Sequence, residues 1–109
     1  MTQNSLVLKV KQISESAPVV IFMKGLPEAP QCGFSARACE TLEQAGAKKI
    51  VGVNVLEDEA LWEALEVHTQ WPTVPQIFIG GQFVGGCDIT VEMHESGELQ
   101  EKIVAAQTK

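Results

Sequence analysis

Three cysteines, Cys32, Cys39 and Cys87, are the residues of this 109-residue chain best suited to covalent or soft-metal chemistry. Cys32 opens the run Cys32-Gly33-Phe34-Ser35, which follows an apolar stretch and a proline-containing loop and leads into a helical pattern. A thiol placed there lies beside the free N–H groups and the positive dipole end of the coming helix, so its thiolate is favoured. The thiolate is the form that attacks disulfides and binds metal. Lys24, at the end of the preceding apolar run, adds a second positive field if the loop folds back. Ser35 stands where a Cys-x-x-Cys pair would carry its resolving thiol, and a hydroxyl cannot attack a mixed disulfide on its neighbour. Cys39 cannot replace it: a helical rise of about 1.5 Å per residue puts it about 10 Å along the axis, beyond the Cα separation of about 7 Å that a disulfide spans. Cys39 therefore reads as a small, half-buried helix residue. Cys87 lies on another turn between strand and helix, and whether the fold brings it to Cys32 stays open. An odd cysteine count argues against a secreted disulfide scaffold and fits a reducing compartment.

The elements that must position these sulfurs follow from periodicity. Leu6, Val7, Val10 and Ile13 predict an amphipathic helix over Leu6 to Ser16, ending before Pro18. Val19-Val20-Ile21-Phe22-Met23 is the pattern of a central strand buried on both faces. Gly25 to Pro30 reads as a loop, and Phe34, Ala38, Leu42 and Ala45 mark one helical face that ends at Gly46. A second strand is expected over Ile50 to Val55, a helix over Glu57 to Thr69, and two short strands, Gln76-Ile77-Phe78-Ile79 and Gln82-Phe83-Val84, around a Gly80-Gly81 turn. The last third is helical, from Asp88 to Glu95 and from Glu98 to Gln107, with Gly97 as a break and Asp88 as the N-cap. This order implies an α/β protein with a four-stranded mixed sheet flanked by helices.

Composition bounds the rest. The length suits one domain, 1–109, with an N-terminal helix over 1–17 and a core over 18–107. No apolar run approaches the roughly 20 residues of a membrane-spanning helix, and Met1 to Ala17 shows no secretory signal, although a transit peptide removed beforehand would leave no trace. The expected location is the cytoplasm, or a mitochondrial or plastid matrix after such removal. Eight Lys+Arg against fourteen Asp+Glu give a net charge of -6, the wrong sign for gripping nucleic acid.

Three motifs, taken together, are specific. Met23 to Ser35, Trp71-Pro72-Thr73-Val74-Pro75-Gln76 and Gly85-Gly86-Cys87-Asp88 occur in the order and spacing of the single-domain monothiol glutaredoxins of the CGFS type, which this chain closely resembles from about Val19 to Glu101. The resemblance implies a thioredoxin-like (glutaredoxin) fold, Cys32 as the reactive thiol and metal ligand, and a glutathione site. An X-Pro bond is trans by default, but the resemblance implies a cis Val74-Pro75 bond that presents the Val74 backbone to glutathione as an added strand. Cys87 and Asp88 would hold the γ-glutamyl end at a helix N-terminus, and Lys24 would meet the cysteinyl–glycine side and the thiolate. The chain departs from the family pattern at Trp62, where a basic residue normally contacts the glycine carboxylate, and at Glu66, where a basic residue is also common. Trp62 has only an indole N–H to offer, which makes glutathione binding weaker or differently supported, and it is left out of the ligand set. Trp71 reads as a packing residue, and His68 and His94 as helix-surface residues.

A thiolate with no resolving partner can form a mixed disulfide that an outside thiol must clear, or it can hold a soft metal centre. A 2Fe-2S cluster needs four ligands, usually thiolates. The resemblance implies a homodimer bridged by such a cluster, ligated by Cys32 and one glutathione from each subunit, in a protein of iron–sulfur cluster assembly, transfer and redox homeostasis. Proteins of the BolA type and cluster-assembly proteins are the implied partners. The alternative is a glutathione-dependent thiol–disulfide oxidoreductase, of weak activity at most, that deglutathionylates proteins through Cys32. A third reading is a redox sensor in which Cys32 and Cys87 form a disulfide.

Overall fold

The β-branched run Val19-Val20-Ile21-Phe22-Met23 forms strand β1, and all five of its residues are buried. A computed structural model describes residues 2–108. Met1 and Lys109, the two ends of the expected 1–109 domain, lie outside the described residues. Around β1 the chain adds α1 (Gln3–Ser14), β2 (Gly25–Leu26), β3 (Ala29–Pro30), α2 (Gly33–Gln44) and β4 (Val51–Asn54). A 3-10 turn (Val55–Glu57), α3 (Glu59–Thr69), β5 (Gln76–Ile79), β6 (Gln82–Gly85), α4 (Cys87–Ser96) and α5 (Glu98–Gln107) complete it.

The sheet order is β4-β1-β5-β6, with β1 parallel to β4 and antiparallel to β5, and β5 antiparallel to β6. This is the mixed four-stranded sheet that the element order implies. Alternation along β1 divides the core. Val19, Ile21 and Met23 pack with Ala38, Cys39 and Leu42 of α2 and with Leu99 and Ile103 of α5. Val20 and Phe22 face Val10 of α1 and Leu61, Ala64 and Leu65 of α3. The strand must be apolar throughout because helices cover both of its faces.

Several boundaries shift for local reasons. The first helix begins at Gln3 rather than Leu6, because the Thr2 side chain caps it by accepting from the Ser5 N–H at 3.2 Å. The expected loop from Gly25 to Pro30 contains a two-residue hairpin in which Gly25 pairs with Pro30 and Leu26 with Ala29. The expected helix start at Glu57 is a separate 3-10 turn; the α-helix proper starts after Asp58, whose Oδ1 accepts from the Leu61 N–H at 3.0 Å. Asp88 is not an N-cap: Gly86 occupies that position and Asp88 falls inside the first turn of α4. Gly80 and Gly81 take the positive φ values, 60° and 82°, that the β5–β6 turn requires. Among the described residues no helix is long and apolar enough to cross a membrane.

Candidate functional site

Cys32 is the N-cap residue of α2, with extended backbone angles (φ −151°, ψ 136°), and its side chain is half-buried. An N-cap directs its side chain at the free amides of the first turn. By distance and angle the Cys32 side chain makes no cap hydrogen bond, but the Ser35 amide at the helix mouth is the largest influence that holds its thiol below the ordinary value. Partial burial opposes it, while the Phe34 N–H, the Ser35 hydroxyl and, least of all, the charge of Lys24 act in the same direction as the Ser35 amide. The thiolate is thus favoured mainly by the polar groups of the helix mouth and only slightly by a neighbouring charge.

The loop does fold back. The Gln31 N–H donates to the Lys24 carbonyl at 2.9 Å, and the Gly25 N–H donates to Asn54 Oδ1 at 3.0 Å, tying the loop to the end of β4. Pro27 lies on Gly52 of β4 so closely that any Cβ there would collide with the proline ring. Ser35 is fully buried, and its Oγ accepts from the Lys24 N–H at 3.3 Å. The residue that replaces a second thiol therefore has a role of its own, because its hydroxyl holds the Lys24 backbone and also helps to lower the Cys32 thiol. That role depends on tertiary placement, and only the motif spacing marks the position in the sequence.

Beyond the thiol, the Val74-Pro75 peptide bond is cis, as the family resemblance implies. A groove of about 280 Å³ runs along it, lined by Phe34, Trp71, Thr73, Val74 and Pro75 on one side and by Gly86, Cys87, Asp88 and Ile89 on the other. Among the described residues, no other backbone group takes up the N–H or C=O of Val74. Gln76 sets the loop: fully buried at the start of β5, its Nε2 donates to the Trp71 carbonyl at 2.9 Å and the Thr73 carbonyl at 3.0 Å. Sequence reasoning missed this clamp, although one amide opening an apolar strand is a usable signal. Gly86 permits the close approach of the two walls, since a Cβ there would come within 3.3 Å of the Pro75 carbonyl oxygen. A wider hollow of about 410 Å³ lies over the β5–β6 hairpin and α5, among Phe83, Met93, Glu98 and Lys102, but it holds no cysteine.

The remaining sequence candidates fall as follows. Cys87 is buried at the first position of α4. Burial pushes its thiol up, the charge of Arg37 opposes this, and the negative charges of Asp88 and Cys32 reinforce it, so Cys87 lies within the electrostatic reach of Cys32. All three cysteines are free thiols. Asp88 is exposed in the first turn of α4, where the helix dipole favours a carboxylate. Cys39 is not half-buried: it is 3% exposed, its Sγ lies 3.6 Å from Met23 Sδ, and burial pushes its thiol up to about 11. Trp71 packs on Phe83 with ring centroids 6.3 Å apart, yet it is 39% exposed and also forms part of the groove wall. His68 is exposed and stacks on Phe78, and His94 is half-buried on α4. Among the described residues no three His, Cys, Asp or Glu side chains converge as a metal site.

Comparison with known proteins agrees with this geometry. The family model described as glutaredoxin matches residues 19–84. A relative from Lachancea kluyveri, "Monothiol glutaredoxin-5, mitochondrial", is 49% identical over 83% of this chain, which spans 64% of that relative's length. "Glutaredoxin 4" of Buchnera aphidicola is 42% identical over 96% of each chain. Among solved structures, the buckwheat glutaredoxin–glutathione complex superposes with a TM-score of 0.85 at 30% identity, over 96% of this chain and 93% of that one. The α2 mouth, the cis-proline loop and the mixed sheet are those of a thioredoxin-like protein, and with a serine in place of the second thiol, this chain belongs to the monothiol glutaredoxins of the glutaredoxin family.

Proposed function

We propose that this chain binds glutathione at Cys32 and, as a homodimer, carries a 2Fe-2S cluster as cargo for iron–sulfur assembly and transfer. The observation that carries this reading is the state of Cys32: a half-buried, thiolate-favoured sulfur whose helix offers serine at one candidate partner position and a core-buried thiol at the other. A single soft ligand per chain is compatible with a cluster only if the other ligands come from outside it. Two chains and two glutathione thiolates would supply them. Exchangeable tripeptide ligands at a surface groove suit handing the cluster on, with BolA-type and assembly proteins as candidate partners.

For glutathione itself, the supporting features are the unengaged Val74 backbone beside the groove and the N-terminus of α4 at Cys87 and Asp88. An extended tripeptide would pair with Val74 as an added strand, and its γ-glutamyl carboxylate would meet the α4 amides while Asp88 accepts from its ammonium group. Lys24 would face the cysteinyl–glycine side. The complex formed by the buckwheat relative supports the same ligand class.

Anaerobic reconstitution with iron, sulfide and glutathione tests the carrier reading. Visible cluster absorption and a dimer that depend on both glutathione and Cys32 are expected. Equal weak absorption from wild type and Cys32→Ser, with both monomeric, would refute it. A second reading, monothiol deglutathionylation, is favoured by the accessibility of the activated sulfur. Rapid turnover of a glutathionylated peptide by the cluster-free protein would select it.

A further inference from the structure

Outside the groove, Lys24, whose charge reaches Cys32, pairs with Trp62 of α3. The Lys24 backbone is fixed at both ends, its N–H on Ser35 Oγ and its carbonyl on the Gln31 N–H. Its ammonium lies over the Trp62 ring, 5.8 Å from the centroid. The ring packs partly into the α1–α3 core beside Val10 and Leu65, and its Nε1 is shielded from solvent with no hydrogen-bond partner among the described residues. Trp62 is thus held as an apolar plate and makes no hydrogen bond that would define a separate role for it.

The charges around the pair are one-sided. No Lys or Arg occurs from Ile50 to Glu101, a stretch that includes Glu59, Glu63 and Glu66 of α3, all exposed. A lysine stem has many rotamers to choose from. Cation–π attraction to a half-buried ring selects one position for it, and that position follows directly from the loop that ends in Cys32.

We propose that Trp62 is a positioning residue for ligand selection: its ring holds the Lys24 ammonium as the single cation that meets the carboxylate end of a thiol tripeptide joined to Cys32. This inference rests on the glutathione reading above. Trp62 supplies no charge of its own, so one held lysine sets the whole preference for a terminal carboxylate over a neutral carboxamide. The preference is modest, and the site accepts both ends.

The test compares mixed-disulfide formation by the full chain with two symmetric disulfides, oxidised glutathione and its C-terminal carboxamide analogue. In each case the Cys32 thiolate attacks one ligand sulfur, the ligand disulfide breaks, and one tripeptide leaves as thiolate. The ratio of the two equilibrium constants, read by mass spectrometry, cancels any change in the thiol itself. Wild type is expected to prefer the acid by about two- to fivefold at low salt, the range for one exposed charge pair. Trp62→Leu should bring the ratio to about one, Trp62→Phe should keep most of the preference, and Lys24→Met should abolish it and make Trp62→Leu silent in that background. Trp62→Phe keeps the test valid if the leucine variant folds poorly. An unchanged ratio in Trp62→Leu with both constants lowered alike, or a ratio of one in wild type, would overturn the proposal. Failure of wild type to form a mixed disulfide with either ligand would instead remove the glutathione reading on which it stands.

Discussion

The mouth and the body of α2 carry the same functional group in opposite states. At the mouth, the Ser35 and Phe34 amides and the Ser35 hydroxyl hold the Cys32 thiol below its ordinary value. In the body of the helix, Cys39 has Met23 sulfur as its neighbour, and burial pushes its thiol up to about 11. Residue type is constant across the pair, so the difference lies in what surrounds each sulfur. Helix amides unpaired at the first turn favour a negative charge, whereas amides in the body are spent on carbonyls and the buried Cys39 sulfur meets the Met23 thioether instead.

The largest expected effect separates the two positions outright. Cys32→Ser should abolish glutathione-dependent cluster loading, while Cys39→Ala should load as wild type does and lose about 1 kcal/mol of stability from the lost packing. Comparable loading defects in both, measured by visible absorption at equal folded fraction, would break the contrast. Next comes Ser35→Ala. It removes a hydroxyl that helps to lower the Cys32 thiol and strands the Lys24 N–H beside a buried methyl group, so the Cys32 thiol should rise and stability should fall by about 1–3 kcal/mol. Alkylation rate against pH and urea denaturation read the two consequences separately.

A smaller effect has opposite signs for the two sulfurs. A raised pKa means that the native state holds its proton more tightly, so the Cys39 contribution is fully present below the unfolded thiol pKa, about 8.5. It is lost as pH rises through the folded value of about 11. Cys39→Ala should flatten this alkaline loss in a denaturation series. The lowered pKa of Cys32 contributes stability that is present above the unfolded thiol pKa and disappears as pH falls through the folded one. The smallest expected effect on the thiol belongs to Lys24→Met, since its charge is the last of the causes acting on Cys32. A larger rise in that variant than in Ser35→Ala would show that charge, rather than the polar groups of the helix mouth, activates the sulfur.

The mouth of α2 was legible in the sequence because its cause is local: a cysteine between a proline-containing loop and an apolar helical stripe must sit at a helix start. The sheet was legible for the same reason, as the continuous run of β1 leaves no room for an exposed face. What escaped was settled between distant segments. The β2–β3 hairpin is held by a tie from Gly25 to Asn54, and the groove loop by the Gln76 amide. The Lys24–Trp62 pair joins a loop to a helix nearly forty positions later in the chain. Position 62 was visible only as a departure from the family pattern, without the lysine that gives the departure a meaning. The half-burial expected of Cys39 failed because its helix is covered by β1 and α4 together, which no single-helix periodicity reports.

The most direct measurement is the thiolate titration of Cys32, followed by ultraviolet absorbance and iodoacetamide reactivity in a Cys39→Ala, Cys87→Ser background that leaves one sulfur to observe. A midpoint below that of an ordinary cysteine, about 8.5, which moves upward in Ser35→Ala, is the result expected. A midpoint at or above the ordinary value, indifferent to Ser35, would contradict the account.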